Sequence, residues 1–162
     1  EGRFSLRREP FDLRSLVREQ AEVTLGHDES HELELELPDE PLRIDGDRAR
    51  LAQVVGNVLS NAVKYSPAGG TITVGAAEDH GHARVWIADE GTGIPPEHRG
   101  QLFQPFYRGD AAAAGIPGTG LGLAVSRRIV EAHDGRIGFD PLDQGTRFWF
   151  DLPLDAVAGG AR

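Results

Sequence analysis

The chain contains no cysteine and no methionine, and lysine occurs once, at Lys64. Without cysteine there can be no disulfide framework, thiolate metal site or cysteine nucleophile, and the chain fits a cytoplasmic setting. Opening Glu1-Gly2-Arg3 and lacking methionine, it reads as a piece excised from a longer protein. Long hydrophobic runs are missing as well. Nothing approaches the roughly 20 apolar residues of a membrane span, and no signal-peptide pattern opens the chain. Positive charge is scarce, with 17 Lys and Arg against 26 Asp and Glu and a formal net charge of -9. That balance argues against a nucleic-acid partner, whose affinity comes mainly from neutralised phosphates. A nucleotide stays open, because a divalent cation and a few local basic groups can neutralise a triphosphate. What remains is 162 residues, enough for one domain with its own core.

Residues 1–10 are polar and read as a linker ending at Pro10, with the domain proper over 11–154. Phe11 to about Gly26 reads as a helix, with Asp12 as N-cap and Leu13, Leu16, Val17 and Gln20 at helical spacing. His31 to Leu37 alternates, with Leu33, Leu35 and Leu37 on one face and Glu32, Glu34 and Glu36 on the other, which is a half-buried strand. Leu42 to Asp45 is a second short extended piece. Asp47 then caps a helix to about Lys64 whose apolar stripe is Leu51, Val54, Val55, Val58, Leu59 and Ala62. Ser66 to Gly70 is a turn, and Thr71–Ala77 pairs with Ala83–Asp89 around a polar loop. The stretch from Glu90 to Gly122 is rich in glycine, proline and alanine, with a helical piece near Glu97 to Phe103. A loop that long inside a compact domain is usually functional or disordered. Leu121 to His133 is a third helix, with Gly135 placed for a left-handed cap. Arg136–Phe139 and Thr146–Leu152 close the pattern, and 155–162 is a small-residue, mobile tail.

Four features bear on chemistry. Asn57 and Asn61 stack one turn apart on the long helix, with Lys64 and Tyr65 a turn further on. Asparagine competes with the helix backbone, so the pair is either a solvated face or a functional one, with Asn61 as a neutral oxygen ligand for Mg²⁺ and Lys64 as a phosphate cation. In Asp89-Glu90-Gly91-Thr92-Gly93, Asp89 shares parity with Val85 and Ile87 and so faces the core. A carboxylate there needs hydrogen-bond donors, of which an adenine amino group is one, and the glycines admit close backbone approach. Leu102-Phe103-Gln104-Pro105-Phe106-Tyr107-Arg108 places aromatics in the loop, either as anchors or as a carrier for Arg108 to a terminal phosphate. Gly118-Thr119-Gly120-Leu121-Gly122-Leu123 opens a helix, where unpaired amides make an anion site. No strand directly precedes these glycines and no lysine follows them, which excludes the Rossmann and Walker readings.

In this order the four features resemble the histidine-kinase branch of the Bergerat-type ATPases, a superfamily shared with gyrase, mismatch-repair and chaperone ATPases. The resemblance runs from Phe11 to Pro153 and includes Pro10-Phe11-Asp12-Leu13 and Gly145-Thr146-Arg147-Phe148-Trp149-Phe150. It implies an α/β two-layer sandwich, a mixed sheet of about five strands packed on three helices, with a mobile lid over 94–117. It also implies that Asp89 binds the adenine amino group with Thr146 nearby. Asn61 would ligate Mg²⁺ with Asn57 in support, and Lys64 and Arg108 would contact phosphates. Tyr65 would pack near the base, while Gly91, Gly93 and Ile94 would shape its pocket. Gly118, Thr119, Gly120, Leu121 and Gly122 would line the ATP phosphates.

In the gyrase-like branch a glutamate holds the place of Asn57. An amide cannot serve as that base, so phosphoryl transfer to an external nucleophile is expected instead of fast hydrolysis. The expected acceptor is a histidine on a separate dimerisation domain of the same protein, with a response regulator downstream and a homodimeric parent anchored in the cell membrane. No histidine here has the acceptor's surroundings. His31 reads as a surface strand residue, and His80-Gly81-His82 as a solvated hairpin. Asp134 stands where the family often has glycine, which reads as a changed helix cap. A silent nucleotide-sensing module and an anti-sigma-type serine kinase remain as alternatives on the same pocket.

Overall fold

A computed structural model of the chain describes residues 5–105 and 122–155. Strand β1 (Glu9–Asp12) leads into helix α1 (Leu13–Leu25), then β2 (His31–Glu36), β3 (Arg43–Gly46) and helix α2 (Arg48–Lys64). Strands β4 (Gly70–Asp79) and β5 (His82–Ala88) follow, then a 3₁₀ turn at Pro96–Gln101, helix α3 (Gly122–Ala132) and strands β6 (Arg136–Pro141) and β7 (Thr146–Pro153). Five strands form one mixed sheet in the order β2-β4-β5-β7-β6. Only β2 and β4 pair in parallel, a connection that α2 spans as the crossover. The expected two-layer arrangement is present: a mixed five-stranded sheet with three helices among the described residues.

The core lies between sheet and helices. Ile72, Val74, Val85, Ile87 and Phe150 supply the sheet side, and Leu16, Val17, Leu51, Val55 and Ile129 the helix side, all at 1% exposure or less. Removing apolar surface from water on that scale is the main term holding the layers together. The opposite sheet face carries the cross-strand row Gly75–Trp86–Trp149–Gly138. A Cβ on Gly75 would enter the Trp86 ring, and one on Gly138 would lie 2.6 Å from Trp149 Cζ2. The rings therefore lie down over the glycines, and Arg84 stacks 4.3 Å from the Trp149 ring centroid.

Three local expectations are corrected. Residues 9 and 10 are not linker but part of β1, which pairs antiparallel with β3 from Glu9↔Gly46 to Asp12↔Arg43, so α1 starts at Leu13 rather than Phe11. Asp12 does cap α1, accepting from the Arg14 N–H. The segment near Glu97 to Phe103 is a 3₁₀ turn that ends at Gln101. The left-handed residue after α3 is Asp134, at φ 63°, not Gly135. Gly135 is required for space instead, because a Cβ there would collide with the Asp151 carbonyl oxygen.

The segment before β1 is also latched to the start of α2 and the end of α3. The Arg7 N–H donates to Asp47 Oδ2, and the Arg8 guanidinium donates to the carbonyls of Asp45 and Ala132. His133 is buried, donating from Nδ1 to the Ile129 carbonyl and accepting at Nε2 from the Asp47 N–H. That pairing needs the neutral ring, and burial is the main reason its pKa lies below the ordinary value.

Candidate nucleotide site

Helix α2 supplies one wall. Asn57, Asn61 and Lys64 recur at positions i, i+4 and i+7, so they share a face away from the buried stripe. The Asn57 amide donates to the Gly122 carbonyl (3.2 Å) and to Ser126 Oγ (3.3 Å), which ties α2 to the first turn of α3. The Asn61 side chain and the Lys64 ammonium make no hydrogen bond or ion pair with a described residue. Two polar side chains of opposite character, a neutral oxygen and a cation, thus stand available on one turn of the helix.

The facing wall comes from β5 and β7. Asp89 follows directly on β5 and is 4% exposed. Its Oδ1 accepts from the Gly91 N–H at 2.9 Å, and its backbone N–H donates to the Thr146 carbonyl at 3.0 Å. Burial is the largest influence on this carboxyl and raises its pKa above the usual carboxylate value, against the pull of the Gly91 and Thr146 backbone. A buried carboxyl held this way is an acceptor in want of a further donor. Thr146, 3% exposed, lies at the start of β7 beside it.

Glycines allow the close backbone approaches that join these elements. A Cβ on Gly91 would collide with the Tyr65 carbonyl oxygen, and the Thr92 N–H donates to that same oxygen at 3.3 Å. The loop after Asp89 is thereby fixed to the residue that ends α2. Gly145, at φ 89°, would drive a Cβ into the Asp89 carbonyl oxygen. Gly93 has room for a side chain but sits at φ 80°, so its requirement is conformational. Ile94 packs half-buried against the core.

The structure therefore gathers Asn57, Tyr65, Asp89, Gly91, Gly122 and Thr146 around one seam. Arg108, Gly118, Thr119, Gly120 and Leu121 lie outside the described residues. Sequence reasoning missed three contributors. Ser126 braces Asn57, and Gln144 donates to the Glu90 carbonyl at 3.0 Å. His31 is not a surface residue but buried, at 9% exposure, and bonded to Ser66. Its parity with Leu33 and Leu35 already placed it on the inward face.

Comparison with known proteins bears on the family and the fold. Residues 46–156 match the family model described as histidine kinase-, DNA gyrase B-, and HSP90-like ATPase. The signal transduction histidine-protein kinase/phosphatase MprB of Mycolicibacterium smegmatis is 44% identical over 104 residues, covering 64% of this chain and 21% of that protein. A solved mycobacterial sensor histidine kinase MprB superposes with a TM-score of 0.80 at 35% identity, covering 91% of this chain and 97% of that one. Full-length ShkA in complex with AMPPNP gives 0.80 at 33% identity, over 93% of this chain and 32% of that one. Histidine kinase ThkA in complex with the response regulator protein TrrA gives 0.78 at 27% identity, over 93% and 42%. The chain spans about a fifth of the length of the curated relatives it matches. It belongs to the histidine kinase-, DNA gyrase B- and HSP90-like ATPase family and, within it, to the catalytic domains of sensor histidine kinases.

Proposed function

We propose that this domain binds Mg²⁺-ATP between α2 and the adjoining ends of β5 and β7, and transfers the γ-phosphoryl group to a histidine on a separate domain of the same protein. The observation that carries the reading is the seam itself: a buried, acceptor-rich Asp89 bound through Gly91 and Tyr65 to the helix turn that offers Asn61 and Lys64. Asp89 accepts from the adenine amino group, with Thr146 beside it and Tyr65, Gly93 and Ile94 bounding the base. Lys64 and Arg108 neutralise phosphate charge, and the segment Gly118 to Gly122 admits the phosphates at the start of α3. The Asn61 side-chain oxygen would hold a Mg²⁺ ion, which when bound would supply charge neutralisation at the phosphates.

Asn57 holds the two helices in register through Gly122 and Ser126. Having no carboxylate, it cannot activate water. The acceptor nitrogen therefore forms the new N–P bond as the bond from the γ-phosphorus to the bridging oxygen breaks and ADP leaves. The parent is a dimeric sensor kinase with a cytoplasmic catalytic domain that passes the phosphoryl group to a response regulator.

The test is phosphotransfer from γ-labelled ATP. The chain alone gives no stable phosphohistidine, and adding the parent's acceptor domain gives one. Asn61→Ala lowers the labelling rate by about a hundredfold, the scale on which removing one electrostatic stabiliser acts. An acceptor domain left unlabelled while ATP is bound would favour a silent nucleotide-sensing module instead.

A further inference from the structure

The imidazole of His31 is enclosed at the start of β2, its side chain 4% exposed. Nδ1 lies 3.1 Å from both carboxylate oxygens of Asp28. Nε2 lies 2.8 Å from the Ser66 carbonyl oxygen and 3.0 Å from Ser66 Oγ. The Ser66 hydroxyl spends its own hydrogen on the Ala62 carbonyl at 2.5 Å, so it too can only accept from the ring. Each ring nitrogen thus faces acceptors alone. A histidine that donates from both nitrogens is an imidazolium. The setting suits a cation: Asp28 lies on one side, and on the other is the C-terminus of α2, whose carbonyls carry partial negative charge.

The residue pinned by this cation stands next to the seam of the nucleotide site. Ser66 follows Tyr65, whose carbonyl accepts from Thr92 and abuts Gly91. The turn beyond is tied down as well, through Gly69 N–H to the Ser66 carbonyl and Gly70 N–H to the Ser30 carbonyl. We infer that His31, as a buried imidazolium, is a positioning residue for the purine end of the cleft, clamping the α2 turn that carries Lys64 and Tyr65 onto β2. Its charge also acts on Asp89, opposing the effect of burial there. Asp28 is the charged group bonded to the ring, and Glu90 Oε1 holds the Thr71 N–H one step beyond the His31↔Gly70 pair.

This inference rests on the nucleotide reading above, so its experiment begins without nucleotide. Nitrogen NMR of the whole 162-residue chain at neutral pH reads the protonation of the His31 ring directly. Both nitrogens are expected at protonated shifts, and a neutral tautomer would overturn the clamp. In His31→Gln, carbon NMR of the Asp89 carboxyl is expected to show its titration moved to higher pH, whereas a merely structural role would leave it in place. ADP affinity should then fall by about fivefold in His31→Gln, and by less in Asp28→Asn, where the ring keeps its Ser66 contacts. Wild-type affinity in a folded His31→Gln variant contradicts the inference. Should His31→Gln not fold, the ring-nitrogen measurement on the natural chain still decides. A natural chain that binds no adenine nucleotide would instead sink the functional reading, with the clamp judged by the two NMR readouts.

Discussion

Asp89 shows how one residue can hold affinity in reserve. Its carboxyl is buried and its pKa is raised, mainly by that burial. For an acid raised in the folded state, the neutral form is the favoured one. The associated stability is present at low pH and is lost as pH climbs from about 3.9, the ordinary value, through the raised one. An adenine amino group donating to the carboxylate reverses that preference, so binding should release a proton within this window. Calorimetry of ADP binding in buffers of different ionisation enthalpy is expected to show that release, with affinity rising as pH passes the Asp89 value. Asp89→Asn should abolish the pH dependence and weaken binding by about tenfold or more, since it turns an acceptor into a mixed group facing a donor. Affinity that is level across the window would contradict the role. Strand parity made the inward position of Asp89 legible in the sequence, while Thr146 came from the family resemblance. The same parity applied to His31, but a histidine at the end of an alternating run reads as a polar boundary, and its partners, Asp28 and Ser66, are brought together only by the β2–β4 pairing.

Among the elements, strands and helices with strong periodicity were placed to within a few residues, α2 from its Asp47 cap to Lys64 above all. What escaped local reading depended on tertiary partners. Strand β1 is polar and includes a proline, and only its pairing with β3 makes it a strand. Gly135 looks like a helix cap by position, yet Asp134 takes the left-handed conformation, and Gly135 is needed where the chain passes against Asp151 and no Cβ fits. The outer sheet face holds a further consequence. Trp149 lies on Gly138, so Gly138→Ala must push the ring off its seat and should destabilise the fold by about 1–3 kcal/mol, the usual cost of overpacking. Urea unfolding would report it, with ADP affinity unchanged because the row lies on the face opposite the core. Unchanged stability would mean that the ring does not rest there.

For the molecule as a whole, the loop after β5 meets the C-terminal turn of α2 at one end of the sheet, and α2 is tied there to the start of α3. At the other end, Arg7 and Arg8 bond to Asp47 and Ala132 at the far termini of α2 and α3, and His133 joins those termini through the Asp47 N–H. The proposed nucleotide site and the contacts of Arg7 and Arg8 thus lie at opposite ends of α2. The joining of these elements could not be read from motifs, because it is made by Gly91 against Tyr65 and by Asn57 against Gly122, contacts 26 and 65 positions apart in sequence. The most direct measurement is amide NMR of the chain titrated with Mg²⁺-ADP. Shifts concentrated at Gly91, Thr92, Gly145 and Thr146 and along α2 from Asn57 to Tyr65 are the predicted result. Shifts confined to the pole of Arg8 and His133, or none at saturating nucleotide, would contradict it.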